Sequence, residues 1–220
     1  MLVLKRFIIL TPLILLFLGA CNITQEYTFN KDFSGTSKLE IDMSAMIGML
    51  GDNDSTKINS LDTISFAFKK MAEEYKKMGA KNVKFGSKGN NTIYYLSFDF
   101  QNIEDLNNLL SSKGSEMLGA SFLGDTTSAK AKFIKKGKRK LIYDAPEVKN
   151  DTLFNNKEMA SMKDYYNYTL KFNFATKIKK VESDKAIISS DKKSFQFSGS
   201  MFDVFSPNYT TDFKVKLKRK

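Results

Sequence analysis

Side chains that commonly act as nucleophiles, general bases or metal ligands are scarce in this sequence of 220 residues. It contains no histidine, and its single cysteine is Cys21. Because histidine is the commonest general base and a leading metal ligand, catalytic pairs of the Ser-His and Cys-His types are excluded. The 12 glycines stand singly, so no glycine-rich loop is available to cradle a phosphate. Acid-base chemistry would have to come from carboxylates.

Neighbouring carboxylates are the remaining catalytic candidates, since glycosidases place two Asp or Glu side chains across a sugar. Glu73 and Glu74 stand in a helical pattern whose polar face they would occupy. Asp99, Glu104 and Asp105 surround a predicted helix start, where the helix dipole stabilises negative charge. Local structure explains both groups, and we predict that the protein is not an enzyme and binds no cofactor.

The acidic segment 51–54 resembles the start of a calcium-binding loop. In such a loop Thr56 would stand at a ligand position, and Lys57 would stand where the obligatory glycine is needed. Neither residue fits its place, so we predict no metal site.

A run of cations is a candidate binding site for anions. It surrounds a predicted turn at Gly137 and consists of Lys135, Lys136, Lys138, Arg139 and Lys140. Each cation near an anionic membrane contributes about 1 kcal/mol, and salt screens this attraction. We hypothesise that this hairpin tip binds anionic lipid head groups. The alternative is a turn whose charges are only solvated.

The N-terminus has the organisation of an export signal. Lys5 and Arg6 precede an apolar run over residues 7–18, which only Thr11 and Pro12 interrupt. This length suits the core of a signal peptide and is short for a membrane-spanning helix, which needs roughly 20 apolar residues. The sequence therefore predicts an exported protein.

The cysteine directly follows this apolar run, in the order Leu18, Gly19, Ala20, Cys21. These four residues resemble the lipobox of bacterial lipoproteins, in which small residues let a peptidase reach the bond before the cysteine. The resemblance implies that residues 1–20 are removed and that the Cys21 thiol carries a diacylglyceryl group. Several acyl chains hold a protein firmly on a membrane. An ordinary secretory signal and an uncleaved N-terminal anchor remain as alternatives.

The net charge and the residue after the cysteine refine this expectation. The formal charge of +11 becomes +9 in the mature part, 11 minus 2, because residues 1–20 contain Lys5, Arg6 and no acid. A positive surplus favours anionic partners, and export argues against nucleic acid. Asn22 looks like the outer-membrane sorting pattern of lipoproteins, so we predict the outer membrane, facing the periplasm.

Two amphipathic helices are predicted. The first begins at Ser60, ends at Gly79 and carries apolar residues at steps of three and four. They are Leu61, Ile64, Phe68, Met71, Tyr75 and Met78. This stripe either packs on the protein's own sheet or lines a lipid groove. The second helix begins at Asn102 and would end at Gly114.

Alternating apolar and polar residues predict strands elsewhere, joined by turns. The first hairpin turns over Asp32–Gly35, and another turns over Gly86–Asn91. The last strand alternates with lysines, which suits an edge strand or one solvated face. Polar loops are expected over 51–60 and 115–130. The segments with strand patterns are 27–29, 39–43, 83–85, 94–100, 133–134, 141–143, 168–175, 186–188, 195–197 and 213–217.

This order predicts an α+β fold, in which a mostly antiparallel β-sheet carries two main helices on one face. We expect the chain to divide into a cleaved signal peptide over 1–20, a lipidated tether over 21–26 and a single α+β domain over 27–220.

Several segments together resemble the LppM-type lipoprotein domain. They are Cys21 followed by the 29–35 hairpin, Gly79 leading into Val83 and Phe85, the passage from Phe98 to Leu106, and Val181 through Asp191. Members of that family are lipid-anchored envelope proteins with an α/β domain, which bind lipids or glycolipids without known catalysis. Some members carry a C-terminal membrane helix, which this sequence lacks.

Two functions remain open at this point. The first is a non-catalytic module that binds a lipid or glycolipid while attached to the membrane through Cys21. The second is a structural or assembly protein of the cell envelope, whose protein partner the sequence does not identify.

Overall fold

The computed structural model describes residues 21–49, 55–111, 131–145, 163–206 and 208–219. Its strands are β1 (Cys21–Phe29), β2 (Gly35–Asp42), β3 (Lys81–Lys88), β4 (Ile93–Phe100), β5 (Lys132–Lys136), β6 (Lys140–Asp144), β7 (Tyr166–Phe174), β8 (Ile178–Glu182), β9 (Ile187–Ile188), β10 (Ser194–Ser200) and β11 (Phe213–Leu217). Its helices are α1 (Ser44–Met49), α2 (Ser55–Lys77), α3 (Ile103–Leu110) and α4 (Met201–Val204). A single 3-10 turn, Lys163–Tyr165, precedes β7.

The strands form two sheets. A seven-stranded sheet has the order β3-β4-β2-β1-β7-β10-β9, and a four-stranded sheet has the order β5-β6-β11-β8. The pairing of β1 with β7 is parallel, and the other described pairings are antiparallel. The predicted α+β class with a mostly antiparallel sheet is therefore confirmed.

The seven-stranded sheet is apolar on one face and polar on the other. One row of aligned residues crosses five strands of the apolar face: Phe195, Phe172, Tyr27, Ser37 and Phe98. All five side chains are buried. The neighbouring residues along each strand, such as Glu26 and Lys171, point to the opposite side. Only one face of this sheet therefore needs a cover.

Helix α2 and the four-stranded sheet pack on that apolar face, and we call them its two covers. Helix α2 covers β3 and β4, with the ring of Tyr75 centred 4.5 Å from that of Phe98. The four-stranded sheet covers β1, β7 and β10, with the Phe133 ring 5.1 Å from that of Tyr27. The apolar stripe of α2 thus packs on the protein's own sheet through residues such as Phe68 and Met71.

The predicted helix ends are partly confirmed. Gly79, with φ of +89°, ends α2: its N–H donates to Lys76 O, and the Ala80 N–H donates to Tyr75 O. Asn102 caps α3, accepting a 2.9 Å hydrogen bond from the Asp105 N–H.

Other predicted boundaries are wrong or lie elsewhere. Helix α2 begins at Ser55 instead of Ser60, so the predicted loop over 51–60 is helical from residue 55. Helix α3 ends at Leu110, and Gly114 and the loop over 115–130 lie outside the described residues. Strand β3 continues to Lys88, which shortens the predicted turn over 86–91.

The tether predicted over residues 21–26 is also wrong. Strand β1 begins at Cys21 and pairs along its whole length with β2 on one side and β7 on the other. Pairing with β7 satisfies its backbone, which no local pattern reveals. The last strand, β11, lies between β6 and β8, so it has a solvated face but is not an edge strand.

Candidate functional site

Two of the predicted catalytic carboxylates, Asp99 and Asp105, accept hydrogen bonds from residues near them in the fold. Asp99 accepts hydrogen bonds from Thr36 Oγ1 at 2.8 Å and from Asn82 Nδ2 at 2.7 Å. Asp105 accepts from the Gln101 N–H at 2.9 Å. Both carboxylates therefore stabilise the strand and helix ends at which they lie.

The remaining acidic candidates do not gather into a site. Glu73 is exposed on α2, Glu74 is half-buried beside it, and Glu104 is exposed on α3. Across the described part of the chain, no group of three or more Cys, Asp or Glu side chains is arranged to hold a metal ion. The segment 51–54 lies outside the described residues.

Cys21 is the first residue of β1 and lies opposite Tyr166 of β7. Its side chain is only 3% exposed. Burial, reinforced by the nearby negative charge of Asp42, raises the pKa of the thiol from its ordinary 9.0 to about 11. Since the thiolate is the nucleophile, Cys21 is unreactive at neutral pH while β1 is paired. Leu18, Gly19 and Ala20 lie outside the described residues.

A cluster of inward-facing tyrosines, three of them buried and one half-buried, is the feature that the sequence did not reveal. We call Tyr27, Tyr75, Tyr143 and Tyr168 the tyrosine cluster. They come from β1, α2, β6 and β7, so both covers and the seven-stranded sheet contribute. The only sequence signal of the cluster is a tyrosine in place of a phenylalanine or leucine at an inward position of each element.

The hydroxyl groups of the cluster have no hydrogen-bond partner among the described residues. Burial raises the pKa of Tyr27, and negative charge on Tyr143, Tyr168 or Tyr75 would raise it further. None of the four hydroxyls makes a hydrogen bond to a described residue, although buried tyrosines usually find a partner. An unpaired buried hydroxyl costs roughly 1–3 kcal/mol.

Apolar rings surround these hydroxyls. Tyr27 lies 5.6 Å from the ring of Phe172, and Tyr168 lies 4.8 Å from that of Phe205. Gln25 adds a polar group on the same face of β1, donating a 3.1 Å hydrogen bond to Ser37 Oγ. Gln25 is half-buried, so solvent reaches this face near the cluster. The cluster therefore combines uncharged hydrogen-bonding groups with surrounding phenylalanine rings.

The tyrosine cluster makes stability sensitive to alkaline pH. Burial raises the pKa of all four phenols above the ordinary 10.0, so the folded chain holds these protons more tightly than the unfolded chain. Their contribution is complete below about pH 10 and is lost as pH rises through the folded pKa values. We expect the last steep rise in phenolate absorbance, from these four tyrosines, to coincide with unfolding measured by circular dichroism. Ionisation of these tyrosines without unfolding would contradict their burial.

The predicted cation run divides between two sides of the β5–β6 hairpin. Gly137 forms its turn with φ of +67°, and Lys136, Lys138 and Lys140 are exposed around it. Lys135 does not belong with them. Its Nζ donates to the Asp32 carbonyl oxygen at 2.9 Å and lies 5.6 Å from the centre of the Phe33 ring. Lys135 therefore stabilises the β1–β2 turn, and binding of anionic lipids by the cation run stays a prediction.

Comparisons with known proteins give one structural likeness. No family model matches the sequence, and no curated protein matches it. The structure is similar to the LppM protein folded domain of Mycobacterium tuberculosis, solved by NMR, with a TM-score of 0.45 and 9% sequence identity over 92% of each chain. Membership of the LppM-type family stays a prediction from the sequence pattern. In the described part of the chain, no helix is both long and apolar enough to cross a membrane.

Proposed function

We propose that this protein is an exported lipoprotein, attached to an envelope membrane through Cys21, that binds a lipid or glycolipid without catalysis. The order Leu18, Gly19, Ala20, Cys21 supports the attachment. Because β1 begins at Cys21, the lipid joins the domain without a spacer. The buried thiol then requires that acylation precede the pairing of β1 with β7, or that this end of β1 open. Asn22 supports the outer membrane, facing the periplasm, as the location.

The observation that carries the ligand proposal is the tyrosine cluster, whose hydroxyls have no hydrogen-bond partner among the described residues. A molecule that pairs with them must offer hydroxyl or carbonyl groups, and it must tolerate the surrounding phenylalanine rings. An amphiphile with a hydroxylated head group meets both conditions, because its chains can lie against the rings.

Native mass spectrometry tests the proposal on the lipidated protein extracted from its own host in mild detergent. We expect a copurifying lipid of defined mass, released by organic extraction. Replacing Tyr27, Tyr143 and Tyr168 together with phenylalanine should weaken its binding about fivefold per lost hydrogen bond. Tyr165→Phe is the matched control, since Tyr165 is 45% exposed and outside the cluster.

A second measurement separates binding from folding. Removing an unpaired buried hydroxyl should raise the free energy of unfolding of the ligand-free chain, by roughly 1 kcal/mol each. The same triple variant is therefore expected to bind less and to be more stable. A fall in stability would mean that the hydroxyls serve the fold, and would contradict the proposed binding site.

The alternative function, assembly of envelope proteins, is favoured by the edge strand β9. Its residues Ile187 and Ile188 are 59% and 46% exposed at the end of the seven-stranded sheet. An exposed apolar edge can pair with a strand of another protein. If the extracted protein carries no lipid ligand and instead crosslinks to a protein through β9, this alternative replaces the binding module.

A further inference from the structure

The two outer sheet faces differ in how their charges are paired. On the polar face of the seven-stranded sheet, lysines lie beside acids. Lys38 and Lys88 lie 2.8 Å and 3.0 Å from Glu40, and Lys171 lies 3.6 Å from Glu26. Charge on this face is largely neutralised within the sheet.

The outer face of the four-stranded sheet is different, because its register aligns lysines across all four strands. Lys136 lies opposite Lys140, Lys140 opposite Lys216, and Lys216 opposite Lys180. We call these four residues the lysine row. Opposed residues share a face, and three of the four are exposed while Lys216 is half-buried.

The next positions continue this face. Ile134, Ile142, Lys214 and Glu182 form the second row, and Lys132 lies opposite Asp144 beyond it. The face thus carries six lysines and two acids, and six minus two leaves four net positive charges. The lysines are Lys132, Lys136, Lys140, Lys180, Lys214 and Lys216.

Like charges directly opposite each other destabilise a sheet, so the lysine row is unfavourable for the fold alone. Among the described residues, its one ion pair is between Lys180 and Glu182, at 3.0 Å and at the β8 edge. Lys138 and Arg139 add two cations at the adjoining turn. An external anionic surface would offset this repulsion.

We infer that the outer face of the four-stranded sheet docks on anionic lipid head groups of the membrane that holds Cys21. The inference rests on the proposed attachment at Cys21 and is independent of the proposed ligand. Cys21 lies on the same face of β1 as Ile23 and Tyr27, and the four-stranded sheet packs on that face at Tyr27.

A bilayer fits this face better than an acidic protein does. The four-stranded face is broad, and Ile134 and Ile142, both half-buried, lie beside its cations. Lysines whose stems cover apolar surface are suited to the interface between head groups and chains. The absence of a spacer at Cys21 keeps the bilayer within reach.

Amine labelling of the lipidated protein in vesicles tests this orientation. The protein is reconstituted in phosphatidylcholine alone or in phosphatidylcholine mixed with phosphatidylglycerol, acetylated briefly and analysed by mass spectrometry. On the anionic vesicles, labelling of the lysine row should fall several-fold, while Lys38 and Lys171 stay equally labelled. High salt, which shortens the Debye length to about 3 Å near 1 M, should restore the labelling.

Substitution tests the same face through different reporters. In K136Q/K140Q/K180Q/K216Q, the protection of Lys132 and Lys214 should be lost, because each lysine contributes roughly a fivefold factor to docking. A variant with the same charge change, K38Q/K88Q/K163Q/K171Q, removes paired lysines and should keep that protection.

The outcomes separate the two proposals. Protein that floats with both kinds of vesicle but labels equally on both would overturn the docking and leave the lipid attachment intact. Protein that fails to float even with phosphatidylcholine would overturn the attachment, and the docking with it. Protection confined to the anionic vesicles supports both.

Discussion

Changing Cys21 to serine is expected to abolish lipid attachment and to leave the chain as an uncleaved precursor. The thioether to diacylglycerol needs a sulfur nucleophile, and Cys21 is the only cysteine. Intact-mass spectrometry of the membrane-extracted protein should find the wild type as residues 21–220 plus its lipids. The C21S variant should have the mass of residues 1–220 without addition.

A control variant and a clear counter-result complete this experiment. Asn22→Ser keeps Leu18 through Cys21 and should be lipidated like the wild type. A wild-type chain that begins at a residue other than Cys21, or that has a free thiol after unfolding, would show that Leu18–Cys21 is not a lipobox. Ordinary secretion or an uncleaved anchor would then explain the N-terminus.

Alternation in the sequence identified the strands that are buried on one side. In β7, the inward residues Leu170, Phe172 and Phe174 are buried, while Lys171 and Asn173 lie on the polar face. The same logic placed the β1–β2 hairpin, whose turn forms as expected with the Ser34 N–H donating to Asp32 Oδ1 at 3.0 Å. These elements were predictable because one face of each meets water.

Long-range pairing was not predictable from local pattern. Residues 21–26 alternate weakly, and their strand is stabilised by β7, which lies far along the chain. Helix α2 also begins at Ser55, before the apolar stripe from which it was predicted. The local pattern of β1 does not identify the distant strand β7 that pairs with it.

The candidate sites were also predictable only where they depend on neighbouring residues in the sequence. A run of adjacent cations was visible, but the register that adds Lys180, Lys214 and Lys216 and separates Lys135 depends on pairing between distant strands. The tyrosine cluster could not be predicted from local pattern either, because its members come from four separate elements that only the tertiary structure brings together. Sequence pattern located charge along the chain, and tertiary structure decided which charges and hydroxyls share a surface.

Replacing Phe172 with alanine is expected to remove a large share of the free energy of unfolding. Phe172 is fully buried, and its ring lies against rings from both sheets. These are Tyr27, Phe133, Tyr143, Phe195, Phe197 and Phe213, at centroid distances of 5.6, 6.2, 5.5, 5.2, 6.4 and 4.6 Å. Truncating such a ring costs about 3–5 kcal/mol, against a total stability of roughly 5–15 kcal/mol for a typical domain.

Chemical denaturation followed by circular dichroism measures this loss, and Phe66→Ala provides the control. Phe66 lies on α2 with its side chain 66% exposed, so its removal should change the free energy of unfolding by no more than about 0.5 kcal/mol. Equal effects from the two substitutions would contradict the packing of the four-stranded sheet on β7. Because Phe172 contacts Tyr27 and Tyr143, that packing also positions the tyrosine cluster. Any lipid binding should therefore be lost in the same variant even where some folded protein remains.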